Sequence, residues 1–207
     1  MPDLPLVLLH GLGTGPEAWR PQAEALGGTR RVLAPALALS PAFTVEAAAA
    51  ELWGSLEADA VDLCGLSLGA LVASRATLDK PSRVNRLVLC AGFASLPRPF
   101  RLLQAVMGAA AAAAPKRTLP ARLDRRTLRA VFRAGRTFDV RNELDRLTLP
   151  VLVLVGERDR PNRRLSQELA GRLPDAELRI VRGAGHVANI DAPEAFNEAL
   201  REFLDRP

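Results

Sequence analysis

Val61-Asp62-Leu63-Cys64-Gly65-Leu66-Ser67-Leu68-Gly69 starts as an apolar run and ends with a serine that has a glycine two residues away on either side. Val61 to Cys64 reads as a buried strand, and a helix is expected to open at Leu68 or Gly69. A serine between glycines is often only a turn or a helix cap. Between a strand and a helix it gains a second meaning, because the tight turn exposes the hydroxyl and the glycines admit neighbouring backbone without a Cβ clash. Ser67 is therefore the candidate nucleophile, and the helix N-terminus beside it places positive dipole character where an oxyanion would develop.

Outward from that turn, the chain alternates short apolar runs with helical stretches. The other runs are Leu6 to Leu9 before His10-Gly11, Val32 to Ala34 before Pro35, Leu87 to Cys90 before Ala91-Gly92, and Val151 to Val155 before Gly156. A weaker one, Glu177 to Val181, alternates in polarity as an edge strand does. Helical stretches are expected over about 16–27, 44–57, 68–79, 162–172 and 193–205. Strands and helices in this order predict a mainly parallel sheet of about six strands with helices on both faces, a three-layer α/β class. One interval breaks the rhythm: 57 residues, 93–149, separate Gly92 from Pro150. They read as a helical insertion in a single domain spanning 1–207, with one helix ending in the alanines 109–114 before Pro115, an Arg-rich one from Ala121 to Ala134, and a short one before Leu149. Lying after the fourth strand, where ligands gather in open α/β sheets, the insertion is expected to be a lid.

A serine hydroxyl needs a base, and the sequence has two histidines. His186 follows the last strand in Arg182-Gly183-Ala184-Gly185-His186, so it projects from the same sheet edge as Ser67 and is the expected base. His10 ends the first strand and is expected to be a structural hydrogen bonder. The turn His10-Gly11-Leu12-Gly13 is expected to supply backbone instead, the Leu12 N–H pairing with the Leu68 N–H as an oxyanion hole. A carboxylate must hold the base in one tautomer, and Gly156-Glu157-Arg158-Asp159 follows the fifth strand. Asp159 lies further beyond the strand end and is preferred, with Glu157 as the alternative. Asp191 is expected to cap the last helix, next to Pro193.

Composition narrows the class. Of 207 residues 48% are hydrophobic, enough for a substantial core and too many for a disordered chain. Cys64 and Cys90 cannot form a disulfide framework and fit a reducing, cytoplasmic setting as small apolar groups. No run approaches a membrane span, and no Cys/His cluster has metal-ligand spacing, so no cofactor, metal or membrane partner is expected. The charge of +5 is uneven: residues 93–149 hold twelve Lys or Arg against four Asp or Glu, a net of +8, which leaves −3 elsewhere. Without a recognition motif or aromatic interleaving, a nucleic-acid partner is not expected. A lid that favours carboxylate-bearing substrates is the expectation drawn from that asymmetry.

The motif at Ser67, the Gly156-to-Asp159 loop, and the tail Ala184-Gly185-His186-Val187-Ala188-Asn189-Ile190-Asp191-Ala192-Pro193-Glu194-Ala195-Phe196 resemble those of the α/β-hydrolase superfamily, and most of all the 3-oxoadipate enol-lactonase-like esterases and lactonases. The resemblance covers most of the chain outside 93–149. It implies a serine hydrolase acting on a small ester, lactone or thioester through Ser67, His186 and Asp159. The alternatives are a hydrolase-like ligand receptor with little turnover, or a C–C bond hydrolase using the same triad. Three departures stand out: only nine residues precede His10, so the family's N-terminal hairpin is expected to be missing; Pro35 to Ser40 lacks the usual aspartate and glycines; and the chain has no tyrosine. Substrate contacts are expected from Leu12, Trp19, Phe93, Phe100, Leu103, Met107 and Phe132. The oligomeric state is left open.

Overall fold

The computed structural model describes residues 4–113 and 123–206. Six strands form one sheet: β1 (Leu6–Leu9), β2 (Val32–Leu33), β3 (Val61–Leu66), β4 (Val84–Cys90), β5 (Val151–Gly156) and β6 (Ala176–Val181). Their order is β2-β1-β3-β4-β5-β6, and each pairing between neighbours is parallel. The order reverses direction at β1 and β3, so the crevice of an open α/β sheet falls between the C-terminal ends of these two strands. Ser67 follows β3 directly.

Alternate residues of the central strands feed two cores. Val7, Leu9, Leu63, Leu87, Leu89 and Val153 face one side, and Leu6, Leu8, Cys64, Val88, Cys90 and Leu152 face the other. Burial on both faces explains why these strands read as continuous apolar runs. The first core is closed by α2 (Val45–Ser55), α3 (Leu68–Asp79) and α6 (Arg160–Ala170), and the second by α1 (Arg20–Leu26) and α8 (Pro193–Leu204). The charged residue within β3, Asp62, is buried and satisfied by Arg30 at 2.9 Å and Asn85 at 2.8 Å.

The helical stretches fall where the sequence places them, with small shifts. The stretch 16–27 divides into a 3-10 turn, Pro16–Trp19, and α1, while β4 starts three residues early because Asn85 and Arg86 mask its apolar pattern. Between β4 and β5 lie α4 (Arg98–Ala113), α5 (Arg125–Thr137) and the 3-10 turn Leu144–Arg146. The second helix is described from Arg125, behind Asp124, whose carboxylate accepts the Thr127 N–H at 2.7 Å. The expected break at Pro115 and the start at Ala121 lie outside the described residues. A short helix that the sequence reading missed, α7 (Ala188–Asp191), follows His186. Among the described residues no helix is long and apolar enough to cross a membrane.

Candidate active site

The turn after β3 is built by exclusion. A Cβ on Gly65 would lie 2.3 Å from the Gly69 carbonyl oxygen, and one on Gly69 would lie 2.1 Å from that of Leu9. Both positions therefore require glycine for close backbone approach. Between them Ser67 takes φ 53° and ψ −112°, the left-handed region that a side chain disfavours. Its N–H donates to the Cys90 carbonyl at 2.8 Å, anchoring the turn to the end of β4.

Three sheet ends converge on the Ser67 hydroxyl. Ser67 Oγ donates to His186 Nε2 at 3.0 Å, and His186 Nδ1 donates to Asp159 Oδ2 at 2.7 Å. The second bond places the imidazole proton on Nδ1 and leaves Nε2 as the acceptor. The Asp159 side chain is 6% exposed against 46% for His186, so the carboxylate is enclosed and the imidazole faces the site. Burial pushes the Asp159 carboxyl up, but the hydrogen bonds from His186 and Asn162 outweigh it, holding the group below its ordinary range. A hydroxyl joined through an imidazole to an ionised carboxylate can give up its proton as it attacks a carbonyl.

Asn162 is a partner that the sequence reading missed. Its Nδ2 donates to both Asp159 oxygens at 2.9 Å and lies 3.2 Å from His186 Nδ1. The available signal was its spacing, three residues after Asp159 in the first turn of α6. Glu157, the alternative carboxylate, instead accepts the Gly183 N–H at 2.9 Å. Asp191 is a correction: α8 has Ala192 at its cap position, and Asp191 Oδ2 accepts the Gly185 N–H at 2.7 Å. A six-residue reach back to the histidine loop explains why a local capping pattern misread it. Buried Asn189 completes the support, donating to the Ala18 carbonyl at 2.8 Å and the Gln22 side chain at 3.3 Å.

His10 stands apart from this relay. Its Nδ1 lies 2.9 Å from the Gly11 carbonyl and its Nε2 accepts the Leu37 N–H at 3.1 Å, so both ring nitrogens tie together the loops after β1 and β2. A cavity of about 450 Å³ opens beside Ser67 and His186. Leu12, Phe93, Phe100, Leu103, Met107 and Phe132 are among the residues that line it, together with Leu68. Trp19 does not. It is fully buried in the core on the opposite sheet face, 5.9 Å from the Phe196 ring, because the 3-10 turn after Pro16 carries it against α8.

The matching family model, described as the alpha/beta hydrolase family, spans residues 6–199, and the chain belongs to that family. It is a hydrolase of that class. Among curated relatives, a protein named as a carbamate hydrolase, RutD, from Stutzerimonas stutzeri (strain A1501) is 31% identical over 98% of this chain and 92% of its own length. A solved hydrolase from Pseudomonas aeruginosa PA01 is 26% identical with a TM-score of 0.80, covering 100% of this chain and 92% of that one. The enol-lactonase from Burkholderia xenovorans LB400 shares the fold at a TM-score of 0.85 and 24% identity, covering 100% and 93%.

Proposed function

We propose that the protein is a serine hydrolase of small esters, lactones or thioesters that works through an acyl-enzyme on Ser67. The observation that carries this reading is the unbroken relay of 3.0 Å and 2.7 Å from Ser67 through His186 to Asp159. Ser67 Oγ attacks the substrate carbonyl carbon as its proton passes to His186 Nε2. The tetrahedral oxyanion is held by the backbone N–H groups of Leu12 and Leu68, the latter at the first position of α3, where N–H groups have no partner within the helix. His186 then protonates the leaving oxygen or sulfur as its bond to the carbonyl carbon breaks. A water, losing its proton to the same nitrogen, attacks the acyl carbon; the bond from that carbon to Ser67 Oγ then breaks, Oγ takes the proton back from His186 Nε2, and the acid leaves. Asp159 keeps the imidazole in one tautomer and opposes the charge it gains.

The helices α4 and α5 act as a lid in this reading, bringing Phe100, Leu103, Met107 and Phe132 to the cavity. A carbamate, the group in the name of the curated relatives, offers the same kind of carbonyl and joins the substrate panel. Cys64 and Cys90 are buried thiols with no disulfide, in keeping with a cytoplasmic setting.

The test is labelling with a neutral serine-reactive phosphonate followed by peptide mass analysis, together with turnover of esters, lactones, thioesters and carbamates. A single adduct on Ser67, absent from Ser67→Ala, and a fall in turnover of roughly 10⁴-fold or more in that variant are expected. An adduct elsewhere overturns the mechanism. Labelling with silence across the whole panel would favour a ligand-binding protein on the hydrolase scaffold.

A further inference from the structure

Residues 93–149 carry a net charge of +8, yet no arginine or lysine among the described residues lines the cavity at Ser67. Several of the charges on the described residues are directed elsewhere. Arg101 donates to the Leu96 carbonyl at 2.6 Å and pairs with Asp139, while Arg129, Arg133 and Arg136 line a separate hollow on the far side of Gln104 and Phe132. No aspartate or glutamate among the described residues lines the cavity either, so an ionised group on a bound substrate would meet no opposite charge from them there. Leaving water without a partner is costly for an ion.

Among the described residues of that wall, one polar side chain has an uncommitted oxygen. Ser67 and His186 belong to the relay and Asn162 is spent on Asp159, which leaves Gln104. It sits on the helical stripe Phe100, Leu103, Gln104, Met107 that α4 turns toward the cavity. Its Oε1 is shielded from solvent and has no hydrogen-bond partner. Across from it α5 has Gly135, where a Cβ would stand 3.2 Å from that oxygen, so the missing side chain leaves the amide room. Once the side chain turns so that this oxygen meets the cavity, a ligand that donates to it satisfies the orphaned acceptor.

We infer that the substrate is uncharged in the part that enters the cavity and carries a neutral donor, a hydroxyl or amide N–H, that bonds to Gln104. This rests on the serine-hydrolase reading and reverses the expectation of carboxylate-bearing substrates. Gln104 is thereby a specificity residue, remote from bond making and breaking.

The test uses nitrophenyl esters of a linear alkanoic acid, its ω-hydroxy derivative and the corresponding dicarboxylic half-acid, matched in length across a short series, at low salt. At the best length the hydroxy ester is expected to exceed the alkyl ester in kcat/KM by about threefold to tenfold. The half-acid is expected to be at least about a hundredfold poorer than either. Gln104→Leu should abolish the hydroxy preference, whereas Gln104→Arg should raise turnover of the half-acid relative to the alkyl ester. Equal rates on the half-acid and the neutral esters overturn the inference, as does a hydroxy-to-alkyl ratio unchanged in Gln104→Leu. Phosphonate labelling separates the two levels: a labelled Ser67 with a flat ester panel sinks this inference alone, and an unlabelled Ser67 sinks the underlying reading too.

Discussion

Ser67 holds a backbone conformation that costs a non-glycine residue on the order of 1–3 kcal/mol, and the surrounding turn must sustain it. Ala91, at the end of the neighbouring strand, has the same left-handed sign, φ 52°, and lines the same cavity. In Asp159→Asn the amide no longer enforces the productive tautomer, and kcat should fall by roughly 10³- to 10⁴-fold with the fold intact. Asn162→Ala removes a support of the carboxylate and leaves the relay whole, so a loss of about threefold to tenfold is expected. Steady-state kinetics on one ester, with circular dichroism of each variant, checks both. The pH dependence follows from the depressed Asp159 carboxyl. A lowered folded value means the carboxylate contributes stability above its unfolded value, near pH 3.9, and that contribution is lost as pH falls through the folded value. Acid unfolding of wild type and Asp159→Asn should therefore differ in pH dependence at and below the ordinary carboxylate range, and the two should run parallel above it.

At the scale of elements, the loop after β6 is the part most dependent on distant support. The Glu157 and Asp191 carboxylates accept the N–H groups of Gly183 and Gly185, and the Arg158 N–H donates to the Ala184 carbonyl at 2.8 Å. Asp191→Ala should let the His186 ring drift and lower kcat by about tenfold with KM little changed, whereas Asp191→Asn keeps an acceptor and should recover most of the rate. The strands and helices that carry Ser67, Asp159 and His186 were legible because buried parallel strands are apolar runs ending in turn residues. Support from Asn162, Asn189 and Asp191 was not. Each acts through a hydrogen bond whose partner is fixed by three-dimensional folding, and polar residues near helix starts read locally as caps. Trp19 was misread for a related reason: proximity in sequence to the His10 turn did not say which face of the sheet its ring would join.

For the molecule as a whole, a few ion pairs tie the layers together. Arg75 of α3 donates to both Glu143 oxygens at 3.0 and 3.2 Å and to Asp79 at 2.9 Å, linking the helix behind the Ser67 turn to the segment that leads back to β5. The hydrogen bonds from Arg75 hold Glu143 below its ordinary value. Arg75→Met should cost about 1–3 kcal/mol, read as a lower urea midpoint with an unchanged slope. The wide spacing of the relay has a consequence in time. Ser67 and His186 are 119 residues apart, and His186 waits in the loop after β6, the sixth strand made and the far edge of the sheet. At synthesis rates of about 5–20 residues per second, roughly 6–24 s separate the serine from its histidine on the ribosome. In the proposed mechanism Ser67 is an ordinary alcohol throughout that interval, so a nascent or truncated chain carries the Ser67 turn with no chemistry attached to it.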